Sequence, residues 1–498
     1  MVLFMANPQR PKMYEKFVHD TPEWFKGAGL GIFAHWGSYS VPAWAEPIGA
    51  LGTFDDPVYW NTHCPYAEWY WNTMSIKGSP AAGHQKEVYG DMPYEDFIDM
   101  WNAEAFDPAD MADLFARAGA RYFVPTTKHH EGITLWKAPG NDGWNTVDRG
   151  PHRDLVKEFA DAMRDKGLKF GVYYSSGLDW HREPNMPILG DGEYGPQSED
   201  YARYMYSHVM DLIDKYQPSI LWGDIDVPKI SEEDNDFSVA RLFEHYYDVV
   251  PDGVVNDRWG LTHWDFRTVE YEQGKELMGK GMWEMTRGIG YSFGYNQMED
   301  ADSYMTGPEA VKLLADVVSM GGNLLLDIGP DAAGRIPELQ RQCLEGMADW
   351  MDVNSPSIHD VEPVPEASPS GEGDGEPWVR WTGDGKSVYA VVDAAGRVPL
   401  RIAADAVDAD SAVTLGGSAV AVDADGDVLT ADVPASEVAG PQVLHFLLRS
   451  PTSLKGPLLT YNYIIRCRTF SYGRVQCRKW ASFRPGKVSR ISPPENII

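Results

Sequence analysis

Cysteine, basic charge and long apolar runs are all scarce in this chain, and each shortage excludes something. The four cysteines, Cys64, Cys343, Cys467 and Cys477, are too few and too scattered among 498 residues for a disulfide framework. No apolar run reaches membrane-spanning length, which argues against a transmembrane helix and a membrane partner. The opening stretch MVLFMANPQRPKMYEKF has apolar residues but no hydrophobic core followed by a small-residue cleavage site. The reading is a soluble, cytoplasmic protein without a signal peptide, with Met5 as good a start as Met1. Lys and Arg number 43 against 74 Asp and Glu, a net charge of −31. That balance opposes binding to nucleic acid or an anionic membrane. It also makes the chain repel itself, which abundant counter-ions relieve, so a halophilic, salt-rich setting is expected. Nucleotide and zinc signatures are missing too: there is no Walker loop, no paired zinc Cys motif and no G-x-S-x-G elbow. Gly27, Gly29 and Gly31 in KGAGLGIF precede a strand, whereas a dinucleotide fingerprint follows one. No internal repeat of solenoid or propeller period occurs.

What is present is a rhythm. The short apolar runs GIFAHW (31–36), RYFVPTT (121–127), LKFGVYYS (168–175), SILWGD (219–224), GVVNDR (253–258) and NLLLDIG (323–329) have the look of buried parallel strands. Amphipathic helices separate them. In DPADMADLFARAGA, Asp107 caps, Pro108 sits in the first turn, Met111, Leu114, Phe115 and Ala118 share one face, and Gly119 stops the helix. Alternating strands and helices predict an α/β fold with a covered parallel sheet. Polar residues at many strand ends favour closure into a (β/α)8-type barrel. Composition shifts near residue 360, where VEPVPEASPSGEGDGEP (361–377) reads as a linker. Short alternating runs with Gly/Asp turns follow, predicting a small antiparallel β-domain. The last fifty residues carry ten Lys/Arg and one acid; without them the chain has 33 basic against 73 acidic residues, a charge of −40. The expected organisation is a catalytic barrel over 1–358, a β-domain over 359–448, and a basic tail over 449–498 foreign to the fold.

Several strand-like runs end in groups that desolvation discourages unless they line a polar pocket. His35 closes GIFAHW, Glu68 lies in YAEWYW, Tyr173 in GVYYS, Trp222 and Asp224 in LWGD, Arg258 in NDRWG, Glu270 in TVEYEQ and Glu284 in WEMTRG. The acidic run SEEDND (231–236) reads instead as a solvated loop. His129, His130 and Glu131 in TTKHHEG invite a metal, but strand neighbours point to opposite faces, so adjacent histidines seldom share one ion. They suit hydrogen bonds to the hydroxyls of a small substrate better. The 18 Trp and 25 Tyr offer flat apolar faces with polar tips, which suit sugar rings, although large barrels also use many aromatics. Two carboxylates with aromatic walls and no nucleotide or metal motif point to cleavage of a glycosidic bond.

FAHWG, AEWYWN, TTKHHEG, DWHREP, LWGD, VNDRWG, TVEYE, WEMTRGIGYSFGYN and NLLLDIGP stand in one order across residues 24–355. In this the chain resembles the retaining α-L-fucosidases, in their bacterial and archaeal branch. The resemblance implies a barrel followed by a β-sandwich, no metal, no organic cofactor, and a fucosylated oligosaccharide or glycoside as substrate. Carried over by position, it implies Asp224 as nucleophile and Glu270 as acid/base, with Glu284 as a rival for the proton. It implies His35, Glu68, His129, His130, Tyr173 and Arg258 as fucose-binding residues. Trp222 and Phe293 match sugar-facing aromatics, and Phe33 matches part of the pocket for the C6 methyl. Asp226 departs from the pattern and would share the direction of Asp224 if the strand continued, which makes it a minor alternative nucleophile. Two rivals stay open: a non-catalytic fucose-binding protein, and a metal-dependent hydrolase using His129 and His130. The linkage cleaved and any homo-oligomer also stay open.

Overall fold

The structure, a computed structural model, describes residues 10–50, 53–54, 56–182, 186–190, 195–271, 274–371, 375–425 and 428–449. Eight parallel strands form one curled sheet. They are β1 (Leu30–Ala34), β2 (Tyr122–Lys128), β3 (Lys169–Ser175), β4 (Ile220–Asp224), β5 (Val254–Val255), β6 (Arg267–Glu270), β7 (Trp283–Gly288) and β8 (Gly322–Ile328). Their order, β5-β4-β3-β2-β1-β8-β7-β6, is the cyclic order of a barrel. Between β5 and β6 the strand pairing is a single isolated bridge, Asn256 to Phe266, with Asp265 N donating to Val255 O at 2.9 Å; side chains add Asp265 Oδ2 accepting from Val255 N at 2.8 Å and Asp257 Oδ1 accepting from Thr268 N at 3.0 Å. The GVVNDR run is paired over only two residues because Asn256 leaves the ladder. Its carboxamide accepts from Gly223 N at 2.8 Å and donates to Gly223 O at 2.9 Å, so a side chain does the work of a backbone amide.

Helices Pro108–Arg117, Leu155–Asp165, Glu199–Tyr216 and Val239–Val249 precede β2, β3, β4 and β5, and Gly307–Ser319 and Glu338–Asn354 flank β8. Among the described residues no α-helix follows β5 or β6 before the next strand. The first of these helices forms as its sequence predicts. Asp107 accepts from Ala109 N and Asp110 N, Met111, Leu114 and Phe115 are buried, and Gly119 turns away at φ +92°. Each such buried Leu or Phe stabilises the fold by about 1.5–3 kcal/mol. An added Cβ at Gly119 would also stand 2.3 Å from Met351 Cε, so no other residue fits there without displacing that side chain.

The C-terminal strands are β9 (Glu362–Pro363), β10 (Trp378–Gly383), β11 (Ser387–Asp393), β12 (Gly396–Leu400), β13 (Val407–Thr414), β14 (Val422–Asp425), β15 (Val428–Val433) and β16 (Gln442–Leu448). They make antiparallel sheets of order β13-β16-β11-β10-β9 and β12-β15-β14. Trp381, Val388, Leu400, Leu429, Leu444 and Phe446 are buried together in one core. The linker reading of 361–377 is corrected here. Pro363 pairs with Thr382, Ser370 bridges Val379, and Val361 and Val364 are buried, so residues 361–371 are edge structure of the β-domain. Arg449, expected in the tail, instead bonds Ala406 O and Val407 O. The rest of the tail, 450–498, lies outside the described residues, as does the start up to residue 9.

Candidate active site

The predicted residues arrive at the C-terminal ends of different strands. Phe33 and His35 come from β1 and its exit, Tyr173 from β3, Trp222 and Asp224 from β4, Arg258 from the loop after β5, and Glu270 from the last position of β6. His129 and His130 follow β2, and here the alternation argument fails. The β2–β3 register slips between Thr126 and Lys128, and β2 ends at Lys128. Beyond the strand both imidazoles turn the same way, with ring centroids 4.0 Å apart. Glu131 does not join them: it accepts from Ser38 Oγ at 2.6 Å and from Tyr94 Oη. Among the described residues the three-member grouping of potential metal-ligand side chains is His19, His263 and Asp265, beside the β5–β6 seam.

Asp224 is the hub. Tyr173 Oη donates to its Oδ2 at 2.7 Å, Arg258 donates to its Oδ1 at 3.1 Å, and His130 Nε2 stands 3.9 Å from Oδ2. The same Arg258 nitrogen reaches Glu270 Oε2 at 3.2 Å, and Arg258 Nε donates to Thr268 Oγ1 at 2.9 Å. Burial opposes the charge on Arg258, but Asp224, Glu270 and Asp257 outweigh it and raise its pKa. Burial raises the Glu270 carboxyl; Arg258 holds it back and Asp224 pushes it further up. The guanidinium also lies over the Trp222 ring, 4.8 Å from its centroid.

The pocket wall follows from the ring contacts. Phe33 lies 4.7 Å from the His35 ring and 5.2 Å from Trp222, and Phe293 lies 4.9 Å from His35. Glu68 Oε2 accepts from Gly294 N at 2.8 Å and Ser292 Oγ at 3.2 Å, which ties its short 3-10 turn to the loop carrying Phe293. His35 Nδ1 is engaged by Asp327 Oδ1 at 2.6 Å, leaving Nε2 for another partner. His129 Nδ1 is buried without a partner among the described residues.

Glu284 and Asp226 stand apart from this group. Glu284 is the second residue of β7, fully buried, and accepts from Tyr122 Oη at 2.5 Å and Trp222 Nε1 at 2.9 Å. The condition set for Asp226 is not met. β4 stops at Asp224, and Ile225 and Asp226 take left-handed φ of 58° and 57°, so strand alternation does not carry from 224 to 226. The sequence reading did not find Asp327, whose signal is a lone acid inside the apolar run NLLLDIG. Nor did it find the buried pair Lys128–Asp179, Nζ to Oδ2 3.3 Å, directly behind the histidines.

Burial pushes Glu68, Glu131 and Glu284 each up to about 7 from an ordinary 4.5. Between those values the folded chain keeps protons that the unfolded chain has released. The stability these carboxyls contribute is therefore greatest below the ordinary carboxylate pKa and is lost as pH rises through the folded one. The buried His35, His129, His130 and His208, whose pKa values are lowered, act in the opposite sense below about pH 6.5, so the melting temperature is expected to fall from about pH 6.5 to about pH 8 in scanning fluorimetry. A midpoint that climbs across that range would contradict the raised carboxyls.

Comparison with known proteins agrees with this arrangement. The profile of the family described as alpha-L-fucosidase matches residues 4–356. The α-L-fucosidase of Dictyostelium discoideum is 33% identical over 356 residues, 69% of this chain and 72% of that protein. The human tissue α-L-fucosidase is 32% identical over 354 residues, 69% of this chain and 70% of its own. Among solved structures, Thermotoga maritima α-fucosidase in complex with fucose superposes with TM-score 0.76 at 38% identity, over 86% of this chain and 97% of that one. The Thermotoga maritima α-L-fucosynthase in complex with α-L-Fuc-(1-2)-β-L-Fuc-N3 gives 0.79 at 39%, over 89% and 100%. With a barrel that gathers carboxylates, imidazoles and aromatic rings at one end, and a match spanning that whole barrel, the chain belongs to the α-L-fucosidase family of glycoside hydrolases.

Proposed function

We propose that the protein is a retaining exo-α-L-fucosidase working through a covalent fucosyl-enzyme, with Asp224 as nucleophile and Glu270 as acid/base. The observation that carries this is the shared guanidinium. Two carboxylate oxygens held at 3.1 and 3.2 Å from one Arg258 nitrogen are at most about 6.3 Å apart, and closer for any bent arrangement. Retaining pairs stand roughly 5–5.5 Å apart and inverting pairs roughly 6.5–9.5 Å. Asp224, which accepts hydrogen bonds from Tyr173 and Arg258, attacks the anomeric carbon. Glu270, raised by burial, carries the proton for the leaving oxygen and then takes one from water. Glu284, with both oxygens occupied by Tyr122 and Trp222, holds the Trp222 indole in place. His35, Glu68, His129, His130, Tyr173 and Arg258 bind the sugar's hydroxyls; Trp222, Phe293 and Phe33 form its apolar wall. Proton NMR of the first product decides the stereochemistry: α-fucose is expected, and initial β-fucose would exclude retention.

Among the described residues no helix is long and apolar enough to cross a membrane. We also propose a three-part division at residue 358 and after Arg449, and a salt-adapted surface. Pairing every one of the 43 cations would still leave 31 acids unpaired. Screening relieves that repulsion, so melting midpoints are expected to rise between low salt and molar KCl. A flat or falling midpoint would reject the salt-adapted reading.

A further inference from the structure

A hydrogen-bond chain behind the histidines fixes more than their position. Ser175, the last residue of β3, has a hydroxyl with one proton and two lone pairs. Its Oγ lies 2.9 Å from Leu178 O, which can only accept, and 2.7 Å from His130 Nδ1. Two oxygens at 2.9 Å need a proton between them, so the hydroxyl proton goes to Leu178 O. Towards His130 the same oxygen then accepts, and Nδ1 must be the nitrogen that carries hydrogen. Lys128 braces this turn: its buried Nζ donates to Ser175 O at 2.8 Å and Leu178 O at 3.0 Å, balanced by Asp179. Trp180 N donates to His130 O at 2.6 Å, so the backbone on both sides of the contact is pinned.

We infer that Ser175 is a positioning residue that locks His130 in its Nδ1-protonated tautomer, so that Nε2 presents a bare lone pair beside Asp224 and accepts a proton from a hydroxyl of the sugar. This rests on the reading of Asp224 as nucleophile. The 3.9 Å between Nε2 and Asp224 Oδ2 fits, because a lone pair facing a carboxylate gains nothing by closing to hydrogen-bond distance. Burial lowers the His130 pKa to about 4, so the ring is neutral at working pH and one nitrogen is bare. A hydroxyl entering that gap donates to Nε2 and can still accept elsewhere. The site thus selects at this position for a group that donates, a distinction that hydrogen-bond distances alone do not reveal.

Two measurements on the full-length enzyme test this. Long-range 1H–15N spectra of enzyme labelled with [15N]histidine, with His130 assigned by loss of its signal in His130→Gln, are expected to show the Nδ1-protonated tautomer. In Ser175→Ala that tautomer is expected to lose its dominance. A wild-type ring protonated at Nε2 would overturn the inference, and so would an unchanged spectrum in the variant. If Ser175→Ala does not fold, the wild-type spectrum still decides. The second measurement replaces each fucose hydroxyl in turn by hydrogen and by fluorine. Fluorine accepts but cannot donate, so at one position both analogues are expected to bind the wild type about tenfold more weakly than the parent. In Ser175→Ala the fluoro analogue is expected to regain affinity over the deoxy one. A fluoro analogue as good as the parent at every position would sink the proposal. Mass mapping of the carboxylate labelled by a trapped fucosyl-enzyme tests Asp224 separately. Label elsewhere would remove the nucleophile assignment while leaving the tautomer result standing.

Discussion

Asp224→Gly is expected to lower kcat by about 10⁴-fold or more, because the covalent route has no nucleophile without it. The lesion is specific in kind. Glycine leaves Tyr173 Oη and one Arg258 nitrogen facing the space the carboxylate filled, while the Arg258–Glu270 contact remains. That space suits a small anion between two donors. Azide is therefore expected to restore turnover of an activated aryl α-fucoside, attacking from the nucleophile's face and giving β-fucosyl azide by a single inversion. Melting should shift little, since the residue lies at the rim of the barrel core. A variant that keeps a tenth of the wild-type rate, or a rescue product of α configuration, would remove Asp224 from the role.

Glu270→Ala is expected to cost natural fucosides about 10²- to 10⁴-fold, the usual worth of a positioned acid. Leaving groups separate its two duties. Dinitrophenolate departs without a proton, so formation of the fucosyl-enzyme from such a substrate should be nearly intact, and the intermediate should accumulate for lack of a base. Azide then intercepts it from the face opposite Asp224, and the product is α-fucosyl azide. Rescue of the two variants should thus yield opposite anomers. Glu284→Ala provides the contrast. It removes the carboxyl that holds Trp222 Nε1 and Tyr122 Oη, so it should depress poor and good leaving groups alike and show no azide rescue. Exchange of these two behaviours would move the acid/base to Glu284 and leave Asp224 in place.

The strand-and-helix rhythm was legible because burial imposes it residue by residue. The six apolar runs mark strands, and Asp107, Pro108 and Gly119 bracket a helix as their chemistry requires. Several candidate site residues stood out for a related reason: a charged or hydrogen-bonding group at the end of a buried run is costly unless it lines a pocket. What stayed hidden depends on contacts far apart in sequence. Nothing local to VEPVPEASPSGEGDGEP tells that Pro363 pairs with Thr382. The direction of His129 and His130 follows from a register slip against β3, which single-strand alternation cannot register. The isolation of Glu284 needs Tyr122 and Trp222, 162 and 62 residues away.

The β5–β6 junction makes this barrel a split ring. From β4 through β1 and β8 to β6 adjacent strands share ladders of four or more rungs; here one rung, Asp265 N on Val255 O and the Asp257 carboxylate on Thr268 close the circle. Arg258 and Glu270 sit on opposite lips of that split, and neither the β5–β6 nor the β6–β7 connection has an α-helix behind it among the described residues. On the proposed roles, the separation of Asp224 and Glu270 is therefore set beside the least laddered junction of the sheet. The Arg258 guanidinium spans the gap to Glu270, and Asp257, accepting from Thr268 N and Oγ1, is the clasp beside it. One lip can be rebuilt while the stiff arc from β8 through β1 to β4, which carries Asp224, stays as it is.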